Sequence, residues 1–373
     1  MMTHKGTGHA RIPSLDGLRA ISILLVIFSH LAGTPGFPLT RVSYYQSAGG
    51  PLGVRIFFVI SGYLITTLLL GELRSCGRIS LRSFYYRRAL RIFPANYAYL
   101  AVVTILGWAG LASLRWLDYF HAFTYTMNYY QVGRSWLVGH LWSLSVEEQF
   151  YLLWPGVLTF LGVRKAMVTA GWIVILAPLV RILTDLYFTS QAPFVGESFQ
   201  TVADTLAAGC LLAGTREYLT GSQRYMDFLR SPWFMVVPCL LLGSVSASRW
   251  WWFDDAVGST LSNLCIVLIL DHAIRFSRSV FGRLLNAGPM VALGQLSYSL
   301  YLWQQMFLNR HGTTLSISFP ANLLLAVACA IASYFLVEQQ FRMLRWRKAP
   351  RPVFRSETCA DSGREANLLG RGI

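Results

Sequence analysis

An all-α polytopic membrane protein is what three properties of this chain imply together: its hydropathy, its low charge and the placement of its arginines. Of 373 residues, 54% are hydrophobic and only 13% charged, against about 25% charged in an ordinary soluble domain. The mean hydropathy of +0.46 points the same way. Ten apolar windows, near 16–33, 54–71, 94–112, 143–162, 167–188, 199–215, 232–248, 256–274, 290–308 and 319–342, are each long enough for a bilayer core of about 30 Å. The net charge of +15 is not spread as a nucleic-acid surface would be. With the N-terminus inside, the inner gaps collect Arg74, Arg78, Arg82, Arg87, Arg88, Arg91, Arg164, Lys165, Arg216, Arg224, Arg230, Arg275, Arg278 and Arg283. The outer gaps hold Arg41, Arg115, Arg134, Arg249 and Arg310. That bias places both termini in the cytoplasm and makes anionic membrane lipid the neighbour of the charge. The Trp250–Trp252 run then falls at the outer interface, where indole rings prefer to sit.

The first window lacks a small-residue cleavage site and is read as a retained anchor. It also carries Asp16, Arg19 and His30. Arg19 and His30 stand eleven positions apart, about 16 Å along a helix and on one face. Ionisable groups at such depth are costly and usually functional. Histidine is the commonest general base near neutral pH, so His30 is the candidate base. Arg19 is read as the group that holds an anion or carbonyl entering from the cytoplasm, although it could equally set topology or snorkel. Asp16 fits a helix cap, with a catalytic role as the alternative.

The second window contains Ser61-Gly62-Tyr63. Gly62 permits close helix approach, and Ser61 is a possible nucleophile with no base at a matching offset. Before the third window stands Phe84-Tyr-Tyr-Arg87-Arg88-Ala-Leu-Arg91-Ile-Phe-Pro94. On a helix Arg87 and Arg91 share a face, and three guanidinium groups at a membrane surface suit phosphates. The fourth window opens on His140-Leu-Trp-Ser-Leu-Ser145-Val-Glu147-Glu148-Gln-Phe-Tyr151. Two carboxylates entering an apolar span need pairing or a purpose. Glu147 and Tyr151 share a face and Glu148 points away. Ser145 is a possible cap for this helix, and a carboxylate that orients His30 is the sharper reading. The aromatic stretch 121–131 is too polar for a span and is read as re-entrant or interfacial. The six cysteines show no CxxC pairing and are read as small buried hydrophobes. No P-loop, HExxH, GxSxG or zinc-ligand cluster is present. The transmembrane domain is placed at 1–345, with a disordered cytoplasmic tail at 346–373.

Five motifs in one order resemble a known family. They are Arg19-x10-His30, Phe57-Phe58-Val-Ile-Ser61-Gly62-Tyr63, Arg87-Arg88-x-x-Arg91-Ile-x-Pro94, Trp142-Ser-Leu-Ser-Val-Glu147-Glu148-Gln-Phe-Tyr151 and Leu293-Gly294-Gln-Leu-Ser297-Tyr298-Ser-Leu-Tyr301-Leu-Trp303. Over about residues 11–345 the chain resembles the acyltransferase-3 family of OafA/YrhL-like membrane O-acyltransferases. The resemblance implies a multi-pass protein of the bacterial inner membrane. It implies transfer of an acyl group, acetyl first, from cytoplasmic acyl-CoA to a hydroxyl of an extracytoplasmic or lipid-linked saccharide. His30 would be the general base, supported by Arg19, Glu147, Glu148 and Asp16. Arg87, Arg88, Arg91, Tyr151 and Ser61 would bind the donor, and no permanently bound cofactor is implied. Two positions depart from the pattern: Gln304 stands where a histidine is frequent, and Glu338-Gln339-Gln340 replaces Glu-Arg-Pro. Some relatives carry a fused extracytoplasmic hydrolase-type domain, so an envelope-biosynthesis partner protein is a further expectation. A glycan transporter or flippase, and an acyltransferase for a small hydroxylated metabolite, are the alternatives.

Overall fold

A computed structural model of the chain describes residues 12–39, 44–188, 195–309 and 317–348. Their regular secondary structure is helical, with no β-strand among them. In chain order the helices are α1 (Pro13–Leu31), α2 (Tyr44–Cys76), α3 (Leu81–Trp108), α4 (Trp116–Phe123), α5 (Trp136–Gly139), α6 (Leu141–Tyr187), α7 (Phe199–Gly221) and α8 (Gln223–Arg230). They continue with α9 (Val236–Ala247), α10 (Trp251–Phe253), α11 (Ser259–Arg275), α12 (Val280–Leu285), α13 (Gly288–Phe307), α14 (Ala321–Ser333) and α15 (Gln339–Lys348). Wider π turns at Asp254–Gly258 and Tyr334–Glu338 join α10 to α11 and α14 to α15.

Local chemistry sets several of these boundaries. Pro13 stands in the first turn of α1, where its missing N–H costs nothing. Ser80 caps α3, its side chain accepting from the Ser83 N–H at 3.4 Å. Gly162, at φ 76° and ψ 163°, interrupts α6; the left-handed region is open to glycine at little cost. Thus 143–162 and 167–188 are two limbs of one broken helix.

Six helical stretches are long and apolar enough to cross a membrane, or seven if the bent pair Gln223–Arg230 and Pro232–Ala247 is one span. The shortfall against ten windows has a physical reason. Helices α7 and α13 occupy two of those windows but carry the bundle's polar interior, including Thr201, Asp204, Ser297, Ser299, Gln304 and Gln305. Their mean hydropathy falls because they face other helices instead of lipid. The stretch 121–131 is no span: it ends α4 and makes a short 3-10 turn at Met127–Tyr129. Trp250, Trp251 and Trp252 are exposed. The five described cysteines are free, and of these Cys76 and Cys239 are exposed, not buried. Helix α15 runs to Lys348, three residues into the segment read as a tail. The rest of that tail, with Arg41, Arg310 and Cys359, lies outside the described residues.

The most extensive packing joins α2 to α7, α6 to α7 and α1 to both α13 and α2. Two of these crossings depend on glycine. A Cβ at Gly294 would collide with the Asp16 carbonyl, and one at Gly62 with the Leu206 carbonyl. Such small-residue contacts let backbones approach in lipid, where apolar burial drives no association. The α1–α13 crossing matters most here, because both helices line the site.

Candidate active site

A narrow cavity of about 90 Å³ lies among α1, α2, α3, α6 and α13. Its wall includes Arg19, Ser61, Arg88, Arg91, Glu147, Tyr151, Ser297, Tyr298 and Tyr301. Six of these nine come from the sequence-predicted set, drawn together from four helices. Ser61 donates its hydroxyl to Glu147 Oε1 at 2.6 Å, and Tyr151 donates to Ser61 Oγ at 3.3 Å. Glu147 and Tyr151 reach the same hydroxyl because they stand one helical turn apart. The Arg88 guanidinium lies over the Tyr151 ring at 5.5 Å and the Phe84 ring at 5.7 Å. Arg19 pairs with Asp16 at 3.6 Å. Three guanidinium groups and one carboxylate line the wall, a balance that favours an anion.

Arg87 is not part of this wall. It turns to Glu72 on α2, with its Nη2 3.2 Å from Oε2. The cavity therefore takes the i,i+3 pair Arg88 and Arg91, not the i,i+4 pair Arg87 and Arg91, because an acid on the neighbouring helix captures the first arginine. Asp16 is not a cap either. Ile12 occupies that position without a side-chain bond, and Asp16 sits in the first turn, where an acid is favoured by the helix dipole. Ser145 likewise does not cap α6, which begins at Leu141. Its hydroxyl donates to the Leu141 carbonyl and accepts from the Met127 N–H at 3.2 Å. Glu148 points away from the cavity, with Oε1 buried and unpaired. Glu338 accepts from Ser299 on α13 at 3.2 Å.

Further along the α1–α13 pair stands His30. Its Nδ1 is 2.7 Å from Gln304 Oε1. An amide oxygen only accepts, so Nδ1 carries the proton and the basic lone pair is on Nε2. Gln304 is fully buried, so the departure from the family's histidine is filled by a group that holds His30. Glu147, the carboxylate expected to orient His30, instead accepts from Ser61. Trp136 meets the His30 ring edge-on at 5.5 Å, and its indole N–H donates to the Gln305 carbonyl at 2.9 Å. Helix α13 supplies Ser297, Tyr301, Gln304 and Gln305 from one face, which links the cavity to His30.

The loops beyond this point are also held firmly. Arg134 and Glu197 form a two-pronged pair at 2.5 and 2.8 Å. His121 stacks on Tyr130 at 4.7 Å and bonds Thr126 at 2.8 Å; burial lowers its pKa below the ordinary imidazole value.

Sequence reasoning did not anticipate a charged cluster between α6, α7 and α11. Arg181 donates to Asp204 and, at 3.0 Å, to Thr260, while Asn263 donates to Asp204 at 3.0 Å. Arg55 joins it by donating to Asn263 Oδ1 at 3.3 Å, and donates also to the Ser259 hydroxyl at 2.6 Å. A signal existed: Arg181 and Asp204 are opposite charges in adjacent apolar windows, and such charges demand partners.

Taken together, the helical bundle and its arginine-lined internal cavity define a polytopic membrane protein with a charged site inside the apolar region. The chain belongs to the acyltransferase-3 family, whose acyltransferase domain matches residues 12–338. It is 30% identical over 359 residues to the O-acetyltransferase OatA of Staphylococcus aureus (strain NCTC 8325 / PS 47), covering 89% of this chain and 57% of that protein. Similarity to the peptidoglycan O-acetyltransferase OatA of Listeria monocytogenes is 29% over 357 residues, covering 89% and 55%. The putative peptidoglycan O-acetyltransferase YrhL of Bacillus subtilis is 29% identical over 392 residues, covering 95% and 58%. The chain thus spans a little over half the length of these relatives. No solved structure matches it.

Proposed function

We propose that this chain is an integral-membrane O-acyltransferase of the bacterial plasma membrane. It moves an acyl group, acetyl in the first instance, from cytoplasmic acyl-CoA to a hydroxyl of an extracytoplasmic or lipid-linked saccharide. The relatives' names favour a peptidoglycan-type glycan as acceptor. Ten spans with both termini inside fit the arginine bias along the chain.

One observation carries the reading: the arginine-lined cavity and the His30–Gln304 pair share the α1–α13 helix pair, separated by about three helical turns. Arg88 and Arg91 stand near the start of α3, beside the arginine-rich α2–α3 turn, and suit the phosphates of the donor. The pantetheine arm is long enough to carry the thioester from there towards His30. His30 Nε2 takes the proton of the acceptor hydroxyl. The alkoxide-like oxygen attacks the thioester carbonyl, the C–S bond breaks, and the thiolate leaves with the proton returned by His30. An ester and free CoA result.

The test uses the detergent-purified chain, radiolabelled acetyl-CoA and a peptidoglycan tetrasaccharide. The His30→Ala variant should still bind acetyl-CoA and lose transfer by about 10²–10⁴-fold. Product formation at the unaltered rate would remove His30 from the reaction.

A further inference from the structure

At the end of the bundle away from the arginine-rich α2–α3 turn, several groups cluster around His30 without a task in the transfer step. Helix α1 ends there and α2 begins there, with Gly50 packed against Ser29. Trp136, on α5, meets the His30 ring edge-on at 5.5 Å, and neither residue is fully buried. Arg134 stands on the other side of α5: a Cβ on Gly139 would lie 3.4 Å from both Arg134 Nε and Gln305 Nε2. Arg134 in turn holds Glu197 in a two-pronged pair.

Trp136 is unlike the tryptophans of an interfacial belt. Trp250, Trp251 and Trp252 expose 46%, 56% and 58% of their surface, whereas Trp136 is half-buried. Its indole N–H donates to the Gln305 carbonyl at 2.9 Å, and the Gln305 side chain donates back to the Trp136 carbonyl. Protein, not lipid headgroups, therefore fixes the ring. The Arg134 and Glu197 side chains are only 18% and 20% exposed, covered but not sealed. Their mutual bonds use only part of the donors of a guanidinium and part of the acceptors of a carboxylate. Both groups keep capacity for further hydrogen bonds.

A fixed aromatic ring beside a carboxylate and a guanidinium is the chemistry that binds a sugar. The C–H face of a pyranose rests on the electron-rich face of an indole, and charged groups make the stronger hydrogen bonds to its hydroxyls. We propose that Trp136 and the Arg134–Glu197 pair form the acceptor subsite, which takes a pyranose ring bearing free hydroxyls. This deepens the acyltransferase reading above and rests on it. The sugar stacks on Trp136, Glu197 accepts from one hydroxyl and Arg134 donates to another. A further hydroxyl is left at His30, whose Nδ1 is held by Gln304, and its proton passes to Nε2.

The experiment measures binding of a peptidoglycan tetrasaccharide to the detergent-purified full chain by calorimetry, without donor, and binding of acetyl-CoA separately. Trp136→Leu should weaken saccharide binding about 10-fold or more and leave acetyl-CoA binding unchanged. Trp136→Phe keeps an aromatic face and should stay within about 3-fold of the parent. Glu197→Gln and Arg134→Gln should each weaken the saccharide about 10-fold, again without effect on the donor. Purely structural roles predict the reverse: lower melting temperatures with saccharide affinity unmoved, or both substrates weakened together. Parent-like saccharide affinity in Trp136→Leu overturns the proposal, as does an equal loss in Trp136→Phe. Should Trp136→Leu fail to fold, Glu197→Gln decides in the same way. His30→Ala is run alongside and should bind the saccharide like the parent while losing transfer. If the parent transfers acetyl and Trp136→Leu binds saccharide normally, only this proposal fails; if the parent binds the saccharide but never acetylates it, the acyltransferase reading fails instead.

Discussion

Two of the charged clusters inside this bundle are built from the same residue types and put to different ends. Among α2, α6, α7 and α11, the guanidinium groups of Arg55 and Arg181 are consumed by Asp204, Asn263, Ser259, Thr260 and the Thr201 carbonyl. Among α1, α2, α3, α6 and α13, Arg19, Arg88 and Arg91 surround an opening. In the first cluster charge meets charge and the helices are tied. In the second, positive charge exceeds negative charge around a space. What a buried arginine faces, and not its presence, separates a structural role from a chemical one.

Variants can break that contrast. The largest effect is expected from Asp204→Ala, which leaves the Arg181 charge buried and unpaired at a cost of about 3–5 kcal/mol. Thermal unfolding in detergent should show it, and a variant as stable as the parent would mean that the cluster ties nothing together. Glu147→Gln should spare stability yet lower transfer by about 10-fold or more, because a charged acceptor is lost from Ser61 and from the arginine wall. Equal loss of fold and rate would place Glu147 with the structural cluster instead. Next come Arg88→Gln and Arg91→Gln, each raising the KM for acetyl-CoA about 10-fold, or about 1.4 kcal/mol of binding. Arg87→Gln should give the smallest change, since a partly exposed ion pair with Glu72 is worth about 0–1 kcal/mol. If Arg87→Gln weakened donor binding as much as Arg88→Gln does, the cavity wall would have been drawn wrongly.

Much of this site was legible before any fold was known, for a simple reason. Ionisable residues inside apolar runs are few, so Arg19, His30, Glu147 and Glu148 stood out by composition alone. Helical periodicity also placed Glu147 and Tyr151 on one face, where both reach Ser61. Pairings across the bundle were not legible. Nothing local tells that Gln304 holds His30, 274 positions away, or that Glu72 removes Arg87 from the wall. The same blindness hid the hydrogen-bond acceptor of Ser61, which Glu147 supplies from another helix. Helix starts were the weakest point. Ser145 and Asp16 resemble caps by residue type, but α6 and α1 begin several residues earlier than each would need. Nor does hydropathy alone tell which windows face lipid: α7 and α13 fall in two of the ten, yet both carry polar residues into the bundle.

The central claim is that a donor enters at the arginine-rich end while the acceptor is activated nearer the other. Sealed inside-out vesicles holding the protein and an enclosed peptidoglycan tetrasaccharide test it most directly, with radiolabelled acetyl-CoA added only to the outside. Labelled, esterified saccharide should accumulate inside intact vesicles, and His30→Ala vesicles should stay blank. Label appearing only after the vesicles are lysed, so that donor and acceptor share one compartment, would contradict that claim.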